Sequence, residues 1–162
     1  MTVRERLVRW EDPAAAAEQG LALAGLDYLR GMIDGALPHP PICATLGFRV
    51  AEAEEGRCVI ALEPGEHQYN PLGSVHGSVV VAALDSAAGN AVHSVLPAGV
   101  GYTTVDLTTT FLRAVTAQTG TLYCEGTLIH AGRRIALSEA KLRDAEGTLY
   151  AHGTTTCMVL GG

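Results

Sequence analysis

Between Asn70 and Val95 the chain reads NPLGSVHGSVVVAALDSAAGNAVHSV, and its apolar residues fall at helical spacing: Val80, Leu84, Ala87, Ala91 and Val95 form one stripe, and Val81, Ala88 and Val92 a second beside it. A helix apolar on most sides is a buried one. Interruption by His76, Asp85, Asn90 and His93 argues against a membrane span. Asp85 follows Val81 by four residues and precedes Ala88 by three, so it projects from an apolar face.

The rest of the chain is organised around that helix. Asp12-Pro13 supplies an N-cap followed by proline at the first helical position, and apolar residues at Leu21, Leu26, Leu29, Met32 and Ile33 predict one helix ending at Asp34-Gly35 and the prolines after it. This helix is expected to pack on the outside; a lid or subunit-contact role is the alternative. Residues 1 to 11 read as a loose arm. Ile42 to Leu46 predicts a short helical turn. Phe48 to Ala53 and Arg57 to Leu62 read as strands joined near Glu54-Glu55-Gly56. Past the central helix, β-rich runs cover Gly101–Val115, Gly120–Ala131, Arg134–Arg143 and Leu149–Leu160, the last two joined by a turn at Asp144–Gly147. Two strands, a buried helix and four strands give an α+β order. We divide the chain into an N-terminal arm and appended helix, 1–41, and a main domain, 42–162.

Composition narrows the function classes. At 162 residues, with 48% hydrophobic and 17% charged, the chain fits one well-buried domain. A formal charge of −6 and the absence of a basic run argue against nucleic acid or an anionic membrane as partner. Nothing between Arg57 and Arg113 is Lys or Arg, so cations flank the central helix. Cys43, Cys58, Cys124 and Cys157 are widely spaced, without C-x-x-C pairs or zinc-site histidines, and read as buried free thiols. The first residues do not form a signal peptide, and a reducing cytoplasm is the expected location.

The start of the central helix is where chemistry is expected. Asn70-Pro71-Leu72-Gly73-Ser74 is a turn-rich run, and His76-Gly77-Ser78 sits at the first helical turn, whose amides lack intrahelical acceptors. Those amides and the helix dipole favour an oxygen carrying negative charge, and glycine lets a carbonyl approach Gly77 closely. Asp85 lies eight residues on, roughly 12 Å along the axis at about 1.5 Å per residue. One helix cannot bring both to one carbonyl. If they act together, the second must come from the equivalent helix of a partner subunit across a two-fold axis.

At these residues the chain resembles a known family. Asn70, His76-Gly77 and Asp85 in one hydrophobic helix, with the later segment Tyr102–Arg113 ending in F-L-R, are similar to the hotdog-fold acyl-CoA thioesterases of the phenylacetyl-CoA (PaaI-like) type, over roughly residues 42 to 160. The resemblance implies an antiparallel sheet wrapped around one long central helix, a homodimer that completes the active site, and pairing of dimers into a homotetramer. It implies Asp85 as general base or nucleophile and Gly77 N–H from the partner subunit as oxyanion donor. Asn70 would orient the thioester or water, and His76 would have a positioning role. Of Thr103 and Thr104 in the following strand, the resemblance favours Thr103. Arg113 and the pair Arg133-Arg134 are candidates for the CoA phosphates, since guanidinium meets phosphate in a bidentate fashion. Many relatives have H-G-G where this chain has His76-Gly77-Ser78, and Asp85 rather than Glu sets it apart from the 4-hydroxybenzoyl-CoA enzymes of the Arthrobacter type.

The expected function is hydrolysis of a small or aromatic acyl-CoA to the free acid and CoA, with CoA as part of the substrate and no metal or bound cofactor. Two alternatives remain: a non-catalytic acyl-CoA-binding or regulatory module, and an enoyl-CoA hydratase or dehydratase. The latter ordinarily needs a histidine one turn from its carboxylate, and His76 and His93 are nine and eight residues from Asp85.

Overall fold

A computed structural model describes residues 2–161; Met1 and Gly162, the outermost residues of the two expected segments, lie outside them. In chain order the elements are α1 (Pro13–Leu21), α2 (Gly25–Ile33), α3 (Pro41–Leu46), β1 (Phe48–Glu54), β2 (Arg57–Leu62), α4 (Gly77–His93), β3 (Gly101–Phe111), β4 (Leu122–Ala131), β5 (Ile135–Arg143) and β6 (Leu149–Leu160). The strands form one sheet in the order β1-β2-β4-β5-β6-β3, every neighbouring pair antiparallel. The sheet carries α4 on its inner face, the α+β arrangement expected from the order of elements.

Small residues allow α4 to come close. Ala83, Ala87, Ala88 and Ala91 are buried along it, with Val79, Val80, Leu84 and Val92 filling the space between helix and strands. At Gly126 in β4 a Cβ would stand 2.1 Å from Ala87 O, so only glycine fits there. Fully buried Ser138 of β5 donates its hydroxyl to Ala88 O at 2.9 Å, satisfying its polar group on the helix backbone. The far end of α4 is tied to the β1–β2 turn: Ser94 Oγ donates to Ala91 O at 2.7 Å and accepts from Gly56 N at 2.8 Å. Gly56, at φ 76°, makes that turn in the left-handed region.

The N-terminal segment departs from expectation in three respects. In place of one helix there are two, parted at residues 22–24, where Ala24 is extended at ψ 147°. No glycine or proline lies within that break. It coincides with a tertiary contact: Gly25 N donates to Leu96 O at 3.0 Å, and Gly25 fits so tightly against the end of α4 that a Cβ would stand 1.8 Å from His93 O. Nor does α2 lie outside the core. Leu29 and Met32 are buried in the same cluster as Val80 and Leu84. Residues ahead of α1 are not loose either, since Arg6 donates to Ala44 O and Thr45 O at 2.6 and 2.8 Å and Arg4 pairs with Glu66. The start of α1 is as read: Asp12 accepts from Ala14 N at 2.9 Å, with Pro13 following.

All four cysteines are buried and free, and burial pushes the Cys43 thiol up to about 11 and that of Cys58 up to about 12. No helix among the described residues is long and apolar enough to cross a membrane.

Two outcomes follow for stability. Gly126→Ala should lower the unfolding free energy by about 3 kcal/mol, read from urea unfolding, because backbone rather than a movable side chain blocks the new methyl. The second concerns His39, whose Nε2 accepts from Val50 N of edge strand β1 at 3.2 Å. Burial, aided by the Arg49 charge, lowers its pKa from 6.5. A lowered folded-state pKa means its contribution is fully present above about 6.5 and lost as pH falls below it. Unfolding free energy should therefore decline on acidification through this window, and less steeply in His39→Gln.

Candidate active site

Asp85 is half-buried on α4, and its Oδ1 accepts a hydrogen bond from Thr104 Oγ1 of β3 at 2.7 Å. A carboxylate on an apolar helix face requires such a donor. Asp85 borders a cavity of about 460 Å³. One wall is polar, formed by Ser86, Asn90, Thr103 and Thr104; the other is apolar and comes partly from Met32 of α2 and Ile42 and Cys43 of α3. Burial raises the Tyr102 phenol at this wall above its usual 10 and keeps it neutral.

Gly77 opens α4, more than two turns before Asp85. His76 caps the helix, its Nδ1 accepting from Ser78 N at 3.1 Å, and Val79 N donates to His76 O at 3.0 Å. The Gly77 amide meets no acceptor among the described residues. It borders a second cavity, about 360 Å³, with Asn70, Phe111 and Arg113. A Cβ on Gly77 would stand 3.2 Å from Phe111 Cζ, tighter than side chains ordinarily pack.

The sequence-predicted residues therefore divide between two places. Asn70, Gly77 and Arg113 share the second cavity. Asp85 and Thr103 share the first. Thr104, and not Thr103, holds the carboxylate within the chain; Thr103 is exposed. Arg133 and Arg134 are exposed in the β4–β5 turn, where Arg134 O accepts from Val159 N, the residue facing Tyr102 in the β3–β6 ladder. They thus lie toward the Asp85 end of β3, whereas Arg113 follows its Gly77 end.

Asn70 has a clear structural role. Its Oδ1 accepts from Leu72 N at 2.8 Å and Ser74 N at 3.3 Å, and its Nδ2 donates to Ser74 Oγ at 3.1 Å, so its carboxamide organises the turn ahead of α4. His76 is exposed, and Ser78 Oγ folds back to its Nδ1 at 2.8 Å. The serine in place of a second glycine therefore reinforces the cap.

Sequence reasoning missed the walls of the Asp85 cavity. Ser86 and Asn90 carried a signal, since with Asp85 and His93 they mark a polar stripe along an otherwise apolar helix. Tyr28, Met32 and Cys43 carried none, because only packing brings α2 and α3 to α4.

The profile of the Thioesterase superfamily matches residues 72–151, a span that includes Gly77, Asp85, Thr104, Arg113 and the arginine pair. A Halobacterium salinarum protein assigned as an esterase is 30% identical over 138 residues, covering 78% of this chain and 89% of its own. The chain belongs to the thioesterase superfamily. This thioesterase is also similar to solved structures. A phenylacetic acid degradation-related protein from Ralstonia eutropha JMP134 matches with TM-score 0.73 and 29% identity, over 81% of this chain and 98% of that one. The Escherichia coli PaaI protein shares the fold, with TM-score 0.71 and 19% identity over 93% and 98% of the two chains. The sheet wrapped on α4 is thus the hotdog fold, and the thioesterase is a thioester hydrolase.

The cap at the start of α4 makes its own prediction. His76→Ala should destabilise the thioesterase by about 1 kcal/mol in urea unfolding, and His76→Asn, which offers an oxygen to the same amide, should recover most of the loss.

Proposed function

We propose that the chain hydrolyses small or aromatic acyl-CoA thioesters to the free acid and CoA, at a site shared between two subunits. Gly77 N–H of one subunit receives the thioester carbonyl, and Asp85 of the partner drives attack on its carbon, either by taking a proton from water or by adding directly as nucleophile. Either route leaves negative charge on the carbonyl oxygen, where an amide at a helix N-terminus stabilises it, and then expels CoA as thiolate; on the nucleophilic route water then cleaves the acyl–aspartyl anhydride to release the acid and restore Asp85. A carboxylate and an amide suffice for this, so the reading needs no metal or bound cofactor. Asn70 and His76 hold the loop and helix start that present Gly77. Thr104 fixes one oxygen of Asp85 and leaves the other to react.

The observation that carries the reading is the edge strand β3. Among the described residues it is hydrogen-bonded to β6 alone, and Thr104 near its start holds Asp85 while Phe111 at its end packs on Gly77. An unpaired edge with Val105 and Phe111 half exposed invites a second strand. Antiparallel pairing of two copies of β3 about a two-fold axis sets the start of one beside the end of the other. Each Asp85 then faces the partner's Gly77. The same symmetry gathers Arg113 of one subunit and the arginine pair of the other around one site, where they would engage the CoA phosphates. We take dimers to associate further as homotetramers and the protein to work in the cytoplasm, where four free thiols stay reduced.

Subunit mixing tests the shared site. Gly77→Pro removes the amide at the helix position where proline is best tolerated, and His76, at ψ 137°, already has the backbone a proline requires before it. Asp85→Asn and Gly77→Pro should each abolish thiol release across a panel from acetyl-CoA through phenylacetyl-CoA to a long-chain acyl-CoA. Refolded together in equal amounts, they should recover about a quarter of wild-type activity, since half the dimers are mixed and each of those holds one intact site. No recovery in confirmed mixed dimers would place both groups in one chain's site and overturn the proposal.

A further inference from the structure

In line with the Asp85 cavity along α4 lies a smaller one of about 200 Å³, bordered by Gly20 and Leu21 of α1, Leu23 of the α1–α2 link, His93 and Val100. The Asp85 cavity meets α4 at Asp85, Ser86 and Asn90, and the smaller one meets it at His93, so the two succeed one another toward the helix C-terminus. Tyr28 of α2 and Tyr102 of β3 line both. Their rings are the partition.

Each ring is seated in a glycine notch. A Cβ on Gly20 would come within 2.7 Å of Tyr28 Cε2, and one on Gly89 within 2.6 Å of Tyr102 Oη. Both rings flank the His93 imidazole, with centroids 5.5 and 5.6 Å away. Burial lowers the His93 pKa below 6.5, so the imidazole is neutral at pH 7, and Ala17, Leu21, Leu23 and Val100 make the remaining wall apolar. Nothing charged obstructs an aliphatic tail there.

We propose that Tyr28 and Tyr102 end the acyl pocket, confining the enzyme to short-chain or single-ring acyl groups, and that the cavity behind them is an extension able to take a longer aliphatic tail. The inference rests on the reading in which the acyl group lies beside Asp85. Truncating Tyr28 joins the two spaces without touching the Asp85–Thr104 pair.

The test compares kcat/KM for butanoyl-CoA and decanoyl-CoA in wild type and Tyr28→Ala. The decanoyl-to-butanoyl ratio should rise about tenfold or more, the scale on which a hydrophobic pocket discriminates chain length. Adding Leu23→Trp, which refills the rear cavity, should return the ratio to that of wild type. Circular dichroism checks folding, and Tyr28→Leu replaces the alanine variant if that variant unfolds. An unchanged ratio in a folded variant overturns the partition, and so does a raised ratio that Leu23→Trp leaves in place. Calorimetric binding of free decanoate reads the same wall without turnover. If wild type releases no thiol from any acyl-CoA, the proposed function fails, while tighter decanoate binding by Tyr28→Ala still upholds the partition and unchanged binding overturns it.

Discussion

Ala87 O lies so close to Gly126 that α4 and β4 touch backbone to backbone, and the geometry of this protein follows from that contact. A helix brought this near the sheet must carry small residues on its inner face, as Ala83, Ala87, Ala88 and Ala91 are. Every polar group it carries inward must find a partner on the surrounding strands. Ser138 reaches up to Ala88 O, and Thr104 reaches across to Asp85. The close approach therefore does two things at once. It makes the core dense, and it brings a strand hydroxyl within bonding distance of the one carboxylate on the helix.

The same helix keeps apart the two groups it carries. Its rigidity separates Gly77 at the first position from Asp85 more than two turns on, and it gives each a cavity of its own. Under the proposed shared site the fold would repeat itself across the open edge of β3, where Val105 and Phe111 are half exposed.

The N-terminal helices α2 and α3 border the Asp85 cavity. They contribute Tyr28, Met32 and Cys43 to the wall opposite Asp85, and all lie ahead of the span that matches the superfamily profile. Asp85 and Gly77, by contrast, lie within that span.

Much of this was legible in residue patterns. The apolar stripes of α4, the lone aspartate within them, the glycine at the helix start and the strand alternation on either side are local properties, governed by periods of 3.6 and 2 residues. They determined the order of the main elements and the buried helix, and singled out Asp85 and Gly77 as candidates. Family resemblance added the hotdog wrapping. Pairwise distance between remote segments was not legible. Neighbouring threonines 103 and 104 look alike in sequence, and only the strand's pleat and the bulge after Thr104 decided which one meets the carboxylate. The break at residues 22–24, flanked by Gly20 and Gly25, coincides with the mooring of Gly25 to the end of α4. Sequence by itself thus determined the order of the main elements and the candidates for the chemistry, because those depend on neighbours a few positions away. The tertiary structure alone decided which side chains line the cavities and which hydroxyl holds Asp85, because those depend on how surfaces distant in the chain pack together.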